Sequence, residues 1–275
     1  MIINRKKKAL LKGNVSAAQK EYIVHYFKTQ SKIRFFQLVL LVSLIAIWEI
    51  ATILGIVDSF IFSSPSRVVM CFIDMLFHGD FLHHFGITLA ETFISFFLVI
   101  FIGIVVAVIL WWNDSIAGVL EPYLVILNSL PKTALAPVFI VWLGNNMKTI
   151  IVAAVSVAVF GTVITLYTDF KNVEPDKVKL IQTLGGSKKD ILFKVIIPSN
   201  YHSIISVMKV NIGLSLVGVV IGEFLAAKAG LGYLIIYGSQ VFKLDWVIMS
   251  IVVLCFMASI LYKLLNIVEK KVKLK

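Results

Sequence analysis

Long, almost unbroken apolar runs alternate with short polar stretches along the whole chain. Phe35 to Leu54 and Phe93 to Trp112 are two of them, each close to the ~20 residues that a helix needs to cross the hydrocarbon core of a bilayer. A membrane β-barrel would show short strands of alternating polarity, and these runs are too long and continuous for that. The pattern predicts six membrane-spanning helices, near residues 35–54, 90–112, 119–143, 148–168, 204–226 and 246–265. The expected fold class is all-α, a polytopic membrane protein.

Two connections are long enough to carry structure of their own. In 55–89, Ser63, Ser64, Pro65 and Ser66 precede Val68, Val69, Phe72, Ile73, Leu76 and Phe77, a helix-start signal followed by apolar residues at helical spacing. A short amphipathic helix at the membrane surface is predicted there. In 169–203, Val178, Ile181 and Leu184 lead into Gly185, Gly186 and Ser187, and then Ile191, Leu192, Val195 and Ile196 follow. This reads as a short helix, a glycine turn and a second helix capped by Ser187, which Pro198 stops or redirects. Such an element suits docking on a partner and equally suits an interfacial connector; the pattern alone leaves both open.

Composition excludes a soluble domain: the 275 residues are 59% hydrophobic and 15% charged, with a mean hydropathy of +0.95, against roughly 45–50% apolar usage in soluble proteins. The net charge of +11 would suit nucleic acid if it were spread over one face. Instead, 20 of the 26 Lys and Arg residues fall in 1–34, 169–203 and 263–275, and four in the connections of the opposite side. By the positive-inside rule the two termini and the 169–203 loop are cytoplasmic, and the charge reports topology and attraction to anionic lipid. Nucleic acid is not an expected partner. The first long apolar run begins only near Phe35 and no small-residue cleavage site follows it, so a retained tail and first span are expected. Cys71 and Cys255 have neither metal-ligand spacing nor a disulfide framework around them.

The stretch from Val173 to Pro198, VEPDKVKLIQTLGGSKKDILFKVIIP, resembles the cytoplasmic loop signature of permease subunits of binding-protein-dependent ABC importers. That signature runs Glu-Ala-Ala, three residues, Gly, nine residues, Ile, one residue, Leu-Pro. Gly185 takes the glycine, Val195 the isoleucine, Ile197 the leucine and Pro198 the proline, while Lys179, Leu180 and Ile181 stand in place of Glu-Ala-Ala. Leu130 to Gly144 and Gly222 to Tyr233 are similar to two further segments of the branch that handles nitrate, sulfonates, taurine and thiamine precursors, as is Ser64-Pro65-Ser66.

The resemblance implies a type I ABC importer permease, usually a homodimer, with no ATPase of its own. Cytoplasmic ABC ATPase subunits would bind the loop at Lys179, Leu184, Gly185, Gly186, Ser187, Lys188, Val195 and Pro198, and an extracytoplasmic solute-binding protein would deliver the solute. ATP and magnesium would sit on the partner ATPase, with no cofactor on this chain, and no Walker-type phosphate loop occurs in the sequence. The expected organisation is a basic cytoplasmic tail at 1–34, a permease domain at 35–265 and a second basic tail at 266–275, in the inner or plasma membrane.

Within the spans, Pro131 and Pro137 predict a broken helix, a form that membranes tolerate where protein or a water-filled path surrounds it. Lys132 beside them either attracts an anionic solute or snorkels to headgroups. Asn128, Pro131, Lys132, Pro137, Glu91 and Glu223 are the candidate pathway or gate residues, with the glutamates placed at helix ends toward the outer side. Gly218 and Gly222 form a G-x-x-x-G step suited to helix packing. Lys209 is expected to snorkel, and Trp48 with Glu49 to anchor the first span. His83 and His84 lack a third metal ligand, and no carboxylate pair stands out within a span. Lys132 favours an anion such as a sulfonate, taurine or nitrate, with a thiamine-precursor pyrimidine as the alternative. A stand-alone carrier or channel is the alternative of another class; no H-E-x-x-H or G-x-S-x-G motif supports an intramembrane enzyme.

Overall fold

The structure is a computed structural model that describes residues 16–273. The first 15 residues of the predicted basic tail, and Leu274 and Lys275 at the other end, lie outside the described residues. The described residues are helical with no strand among them, and they divide into two compact units after Arg67.

In the first unit, α1 (Ala17–Ile53) is a single helix of 37 residues. Ser16 and Gln19 open it with reciprocal side-chain to backbone hydrogen bonds of 3.3 Å, a capping box. Residues 17–34, expected as tail, therefore continue the helix. Its apolar side chains are exposed all round, as a lipid-facing helix requires. Glu49 near its end accepts hydrogen bonds from Ser66 N at 3.0 Å and Ser66 Oγ at 2.7 Å, so this glutamate anchors the following turn as well as the span's end. A short α2 (Ser59–Phe62) is capped by Asp58, and α3 (Pro65–His78) is the amphipathic helix read from the sequence.

The second unit is built on three long helices, α4 (Phe81–Trp112), α7 (Met147–Lys171) and α11 (Tyr201–Ala226), that pack on one another. Between the first two, the predicted 119–143 span is split into α5 (Asp114–Ser129) and α6 (Lys132–Leu143), bent by 96° at Leu130 and Pro131. Proline lacks the N–H that would continue α5, and the helix restarts beyond it. The 172–200 connection holds α8 (Pro175–Thr183) and α9 (Lys188–Ile191), then a π-helical turn at Leu192–Ile196 and α10 (Ile197–Ser199). After α11 come α12 (Leu231–Gln240) and α13 (Leu244–Lys273). Among the described residues five helices are long and apolar enough to cross a membrane, or six when the bent pair counts as one.

The bundle has two ends, one carrying the 172–200 connection and the other carrying α12. Leu110, Leu166, Phe170 and Ile196 fill the core near the first. Near the second, glycine lets backbones meet: a Cβ on Gly218 would lie 2.7 Å from Ala154 Cα, and one on Gly222 3.0 Å from Ile150 Cα. The predicted packing role of this G-x-x-x-G step is thus directed at α7. Lys209, expected to snorkel, instead pairs with Glu269 and ties α11 to α13.

Candidate translocation site and coupling loop

Glu91 and Glu223, candidate gate residues placed from sequence at helix ends, lie inside the bundle at 1% exposure each. The reason is the length of α4: it starts at Phe81, so Glu91 falls almost three turns inside it. The two carboxyls face one another, which makes them the carboxylate pair that the apolar pattern did not reveal. Glu223 also accepts from Thr88 Oγ1 at 2.6 Å and from Gly232 N at 2.5 Å. Thr88 Oγ1 in turn accepts from Leu231 N at 2.8 Å, and His84 Nδ1 accepts from Gly230 N at 2.9 Å.

The chain around Gly230 to Tyr233 is therefore wrapped on Glu223, and its composition follows. Gly230 has φ +123, where side chains are disfavoured, and a Cβ on Gly232 would lie 2.7 Å from Glu223 Oε2. Glu91 Oε2 is buried without a partner and borders a cavity of about 340 Å³ with Asn145, Asn146 and Lys228.

At the other end a larger, open cavity of about 590 Å³ lies between α7 and α11. Its polar lining includes Asn128, Thr162, Thr165, Asp169, Ser203 and Asn211, and it contains no Lys or Arg. Thr162 Oγ1 donates to Ala158 O at 2.7 Å and lies 3.0 Å from Asn211 Oδ1. Ser203 Oγ donates to Asp169 Oδ2. Asn128 is the one candidate pathway residue that lines this space. Pro131, Lys132 and Pro137 lie in the break but do not line it. The Lys132 ammonium donates to the Asn128 carbonyl, closing the free C-terminal end of α5.

The predicted helix, glycine turn and helix of the 172–200 connection is present with its caps. Gly186 N donates to Ile181 O at 2.8 Å and Gly185 N to Gln182 O at 3.0 Å, a Schellman ending of α8. Gly185 has φ +76, and a Cβ on Gly186 would overlap the Ile181 side chain. Ser187 and Asp190 then form a capping box. Hydrogen bonds from Lys194 and Ser187 hold the Asp190 carboxyl below the usual carboxylate range. Lys188 Nζ donates to Trp112 O at 2.6 Å and sits 5.6 Å from the Trp111 ring centroid. That bond fastens the loop to the end of α4, while buried Val195 and Ile196 set it on the core. Lys179 remains exposed, as do Leu180, Phe193 and, at 75%, Leu184. Pro198 lies in α10, two residues after a π-helical turn whose closing bond runs from Ile197 N to Leu192 O.

Thr88, Asp169, Thr162 and Asn211 went unremarked in the sequence, and His84 was weighed there only as a metal ligand. Asn211 and Thr162 carried a usable signal, a polar residue within an otherwise apolar span. Thr88 and His84 had none, because they act through a loop more than 140 residues away.

A helical membrane bundle with a broken span, a polar cavity between two of its helices and a capped loop at the cavity's end is the architecture of a transport subunit. Residues 99–273 match the family described as "Binding-protein-dependent transport system inner membrane component", and the chain belongs to that family. It is 30% identical over 191 residues to the formylaminopyrimidine transport permease protein ThiX of Halalkalibacterium halodurans, covering 69% of this chain and 75% of the relative. It is 23% identical to the putative aliphatic sulfonates transport permease protein SsuC of Bacillus subtilis, covering 83% of each chain. To the taurine transport system permease protein TauC of Escherichia coli it is 22% identical, over 79% of this chain and 81% of that one. In fold it is similar to a chain of the MetNI methionine ABC transporter solved in inward-facing conformations, with TM-score 0.59 and 18% identity over 70% of this chain and 94% of that chain.

The protein is thus an ABC importer permease, a multi-pass protein of the inner membrane. It is a transporter subunit without an ATPase domain of its own, and the family implies ATPase and binding-protein partners, with ATP and magnesium used on the ATPase.

Proposed function

We propose that this permease carries a small uncharged, hydrogen-bonding solute of the aminopyrimidine kind through the cavity between α7 and α11. The observation that carries this reading is the lining of that cavity: hydroxyls, amides and one carboxylate, with no cation to pair with an anion. The preference for a sulfonate or taurine rested on Lys132, whose ammonium is engaged by the Asn128 carbonyl outside the lining. Burying an unpaired anion beside Asp169 would be costly, whereas a neutral heterocycle offers donors and acceptors to match. Identity to the formylaminopyrimidine permease points the same way.

The charge distribution supports termini and 172–200 connection on the cytoplasmic side. On that reading the cavity lies in the inner half of the membrane and the Glu91 and Glu223 cluster in the outer half. Exposed Leu184, with Lys179, Leu180 and the Gly185 turn, forms the face that docks on the ATPase. Lys188 and Val195 fasten that face to α4 and to the core, so closure of the ATPases is passed to the spans as a rigid-body movement. The working unit is a homodimer, and the 1–34 and 266–275 segments serve as basic cytoplasmic tails attracted to anionic lipid.

The test is ATP-driven uptake in proteoliposomes holding the permease, its ATPase and its binding protein. Formylaminopyrimidine is expected to accumulate and taurine is not; the opposite preference overturns the solute assignment. Uptake that persists without the ATPase overturns the coupling assignment.

A further inference from the structure

Three consecutive backbone N–H groups at the start of α12 are taken by side chains from two other helices. Gly230 N donates to His84 Nδ1 at 2.9 Å, Leu231 N to Thr88 Oγ1 at 2.8 Å and Gly232 N to Glu223 Oε2 at 2.5 Å. A helix leaves its first four N–H groups without intrahelical partners, and the residue just before it usually supplies a cap. Here that residue is Gly230, which has no side chain, and the caps come from α4 and α11 instead. His84 and Thr88 stand one turn apart on α4, so they meet successive residues of the loop.

His84 differs from Thr88 in what a proton does to it. A backbone amide only donates, so the bond to Gly230 requires a lone pair on Nδ1 and places the proton of the neutral ring on Nε2. The other ring orientation would set a carbon in front of the Gly230 N–H and leave it unpaired. A second proton on the imidazole would turn Nδ1 into a donor facing a donor. It would also bring a positive charge to the N-terminal end of α12, where the helix dipole is itself positive. The charged groups that act on His84 are at the start of its own helix: Asp80 attracts a charged ring and a charged His83 repels one. From α12, Tyr233 stacks on the ring with centroids 6.0 Å apart, and from α11, Glu223 holds the same loop at Gly232.

We infer that His84 is a proton-sensitive latch: with its ring neutral it holds the Gly230 turn and the start of α12 against α4, and with its ring protonated it lets them go. Histidine changes charge between about pH 5 and 8, so the latch is closed at neutral pH and opens in acid. Release frees the chain that wraps Glu223, at the end of the bundle opposite the 172–200 connection. On the orientation proposed from the charge distribution that end faces outward, so the outside medium sets the latch.

Hydrogen exchange on the permease–ATPase complex in nanodiscs reads the latch without regard to sidedness, with labelling times scaled to the intrinsic exchange rate at each pH. Between about pH 7.5 and about pH 5, either side of the ordinary imidazole range, the wild-type amides of Gly230 to Gly232 are expected to lose protection. The expected loss is about tenfold, the worth of one hydrogen bond. His84→Asn offers a carboxamide oxygen near the place of Nδ1 that does not titrate, and its protection should be alike at both pH values. His84→Ala should show the low protection at both; if it assembles poorly, the other two proteins decide. Wild-type protection that does not change with pH overturns the latch. A parallel fall in wild type and His84→Asn overturns it too, since the titrating group would then be a carboxyl such as Glu223. An equal fall at Gly185 and Gly186, in the 172–200 connection, would mean general loosening in acid and likewise overturns it.

Discussion

Helices α7 and α11 meet along two halves that differ in kind. In the half toward α12, glycine and alanine bring the backbones together, Gly218 against Ala154 and Gly222 against Ile150. In the half toward the 172–200 connection the same helices part around a 590 Å³ cavity. Polar groups follow the same division. Glu223 in the closed half collects hydrogen bonds from Thr88 and Gly232, while Asn211 in the open half keeps a buried donor unpaired. Each half also buries a polar atom without a partner, Glu91 Oε2 in the closed half and Asn211 Nδ2 in the open one. One helix pair is thus tightly closed in one half and borders a cavity in the other.

The largest expected effect comes from forcing the seal open. Gly218→Leu drives a side chain into the Ala154 backbone, where a Cβ alone would stand at 2.7 Å. Overpacking of this kind costs ~1–3 kcal/mol when neighbours can shift, and backbone shifts less readily than side chains. Loss of folded protein in detergent, seen by size-exclusion chromatography, is the expected result. Gly161→Leu in the open half should fold normally, because its nearest neighbour is the Asn128 side chain. Equal yields from the two variants would end the distinction between the halves.

Second in size is Glu223→Leu. It leaves the Thr88 hydroxyl and the Gly232 N–H without an acceptor. About 2–4 kcal/mol of stability is expected to go, from unmade bonds to buried groups. Hydrogen exchange should show the loss first at Gly230 to Gly232. Glu223→Gln retains a carbonyl acceptor and should lose less; equal losses would mean that the loop is held by packing alone.

Sequence made the spans legible because membrane helices declare themselves by length and hydropathy, and the glycine turn because Gly185, Gly186 and Ser187 each satisfy a local backbone need. The polar start of α4 was not legible. Thr88 and Glu91 look like a solvated helix end until Glu223 and the Gly230 loop, far away in the chain, are placed beside them. The break at Pro131 could be read, but its 96° angle could not. The Lys132 contact was hidden for a related reason: a cation near membrane depth suggests a solute or a headgroup, and its partner here is a backbone carbonyl four residues earlier, which no side-chain pattern discloses.

A smaller effect is expected where the open half joins the 172–200 connection. Gly185 has φ +76 with open space around it, so Gly185→Ala meets only backbone strain, roughly 1–2 kcal/mol. The Schellman bonds of Gly185 and Gly186 should exchange faster as a result, and uptake per ATP hydrolysed should fall while insertion is unaffected. Gly185→Trp adds bulk at the proposed docking face and should uncouple hydrolysis from uptake more fully. Normal coupling in both would remove the loop from the docking role.

The smallest effect is the most direct comparison of the two halves, because it uses one helix and one substitution. Gly213 lies five residues before Gly218 on α11 and has nothing within 4 Å of where a Cβ would stand. Alanine there removes backbone freedom from the unfolded chain and meets no neighbour, so Gly213→Ala should stabilise by about 0.5–1 kcal/mol. Gly218→Ala gains the same helix propensity but presses a methyl on Ala154, and its net effect should be destabilising. Thermal melts of the two variants in one detergent are expected to move in opposite directions. The sign, more than the size, carries the test: helix propensity acts alike at both positions, so opposite shifts can come only from how closely α7 approaches. Two shifts of the same sign would mean that α7 and α11 are no more tightly sealed at Gly218 than they are at Gly213.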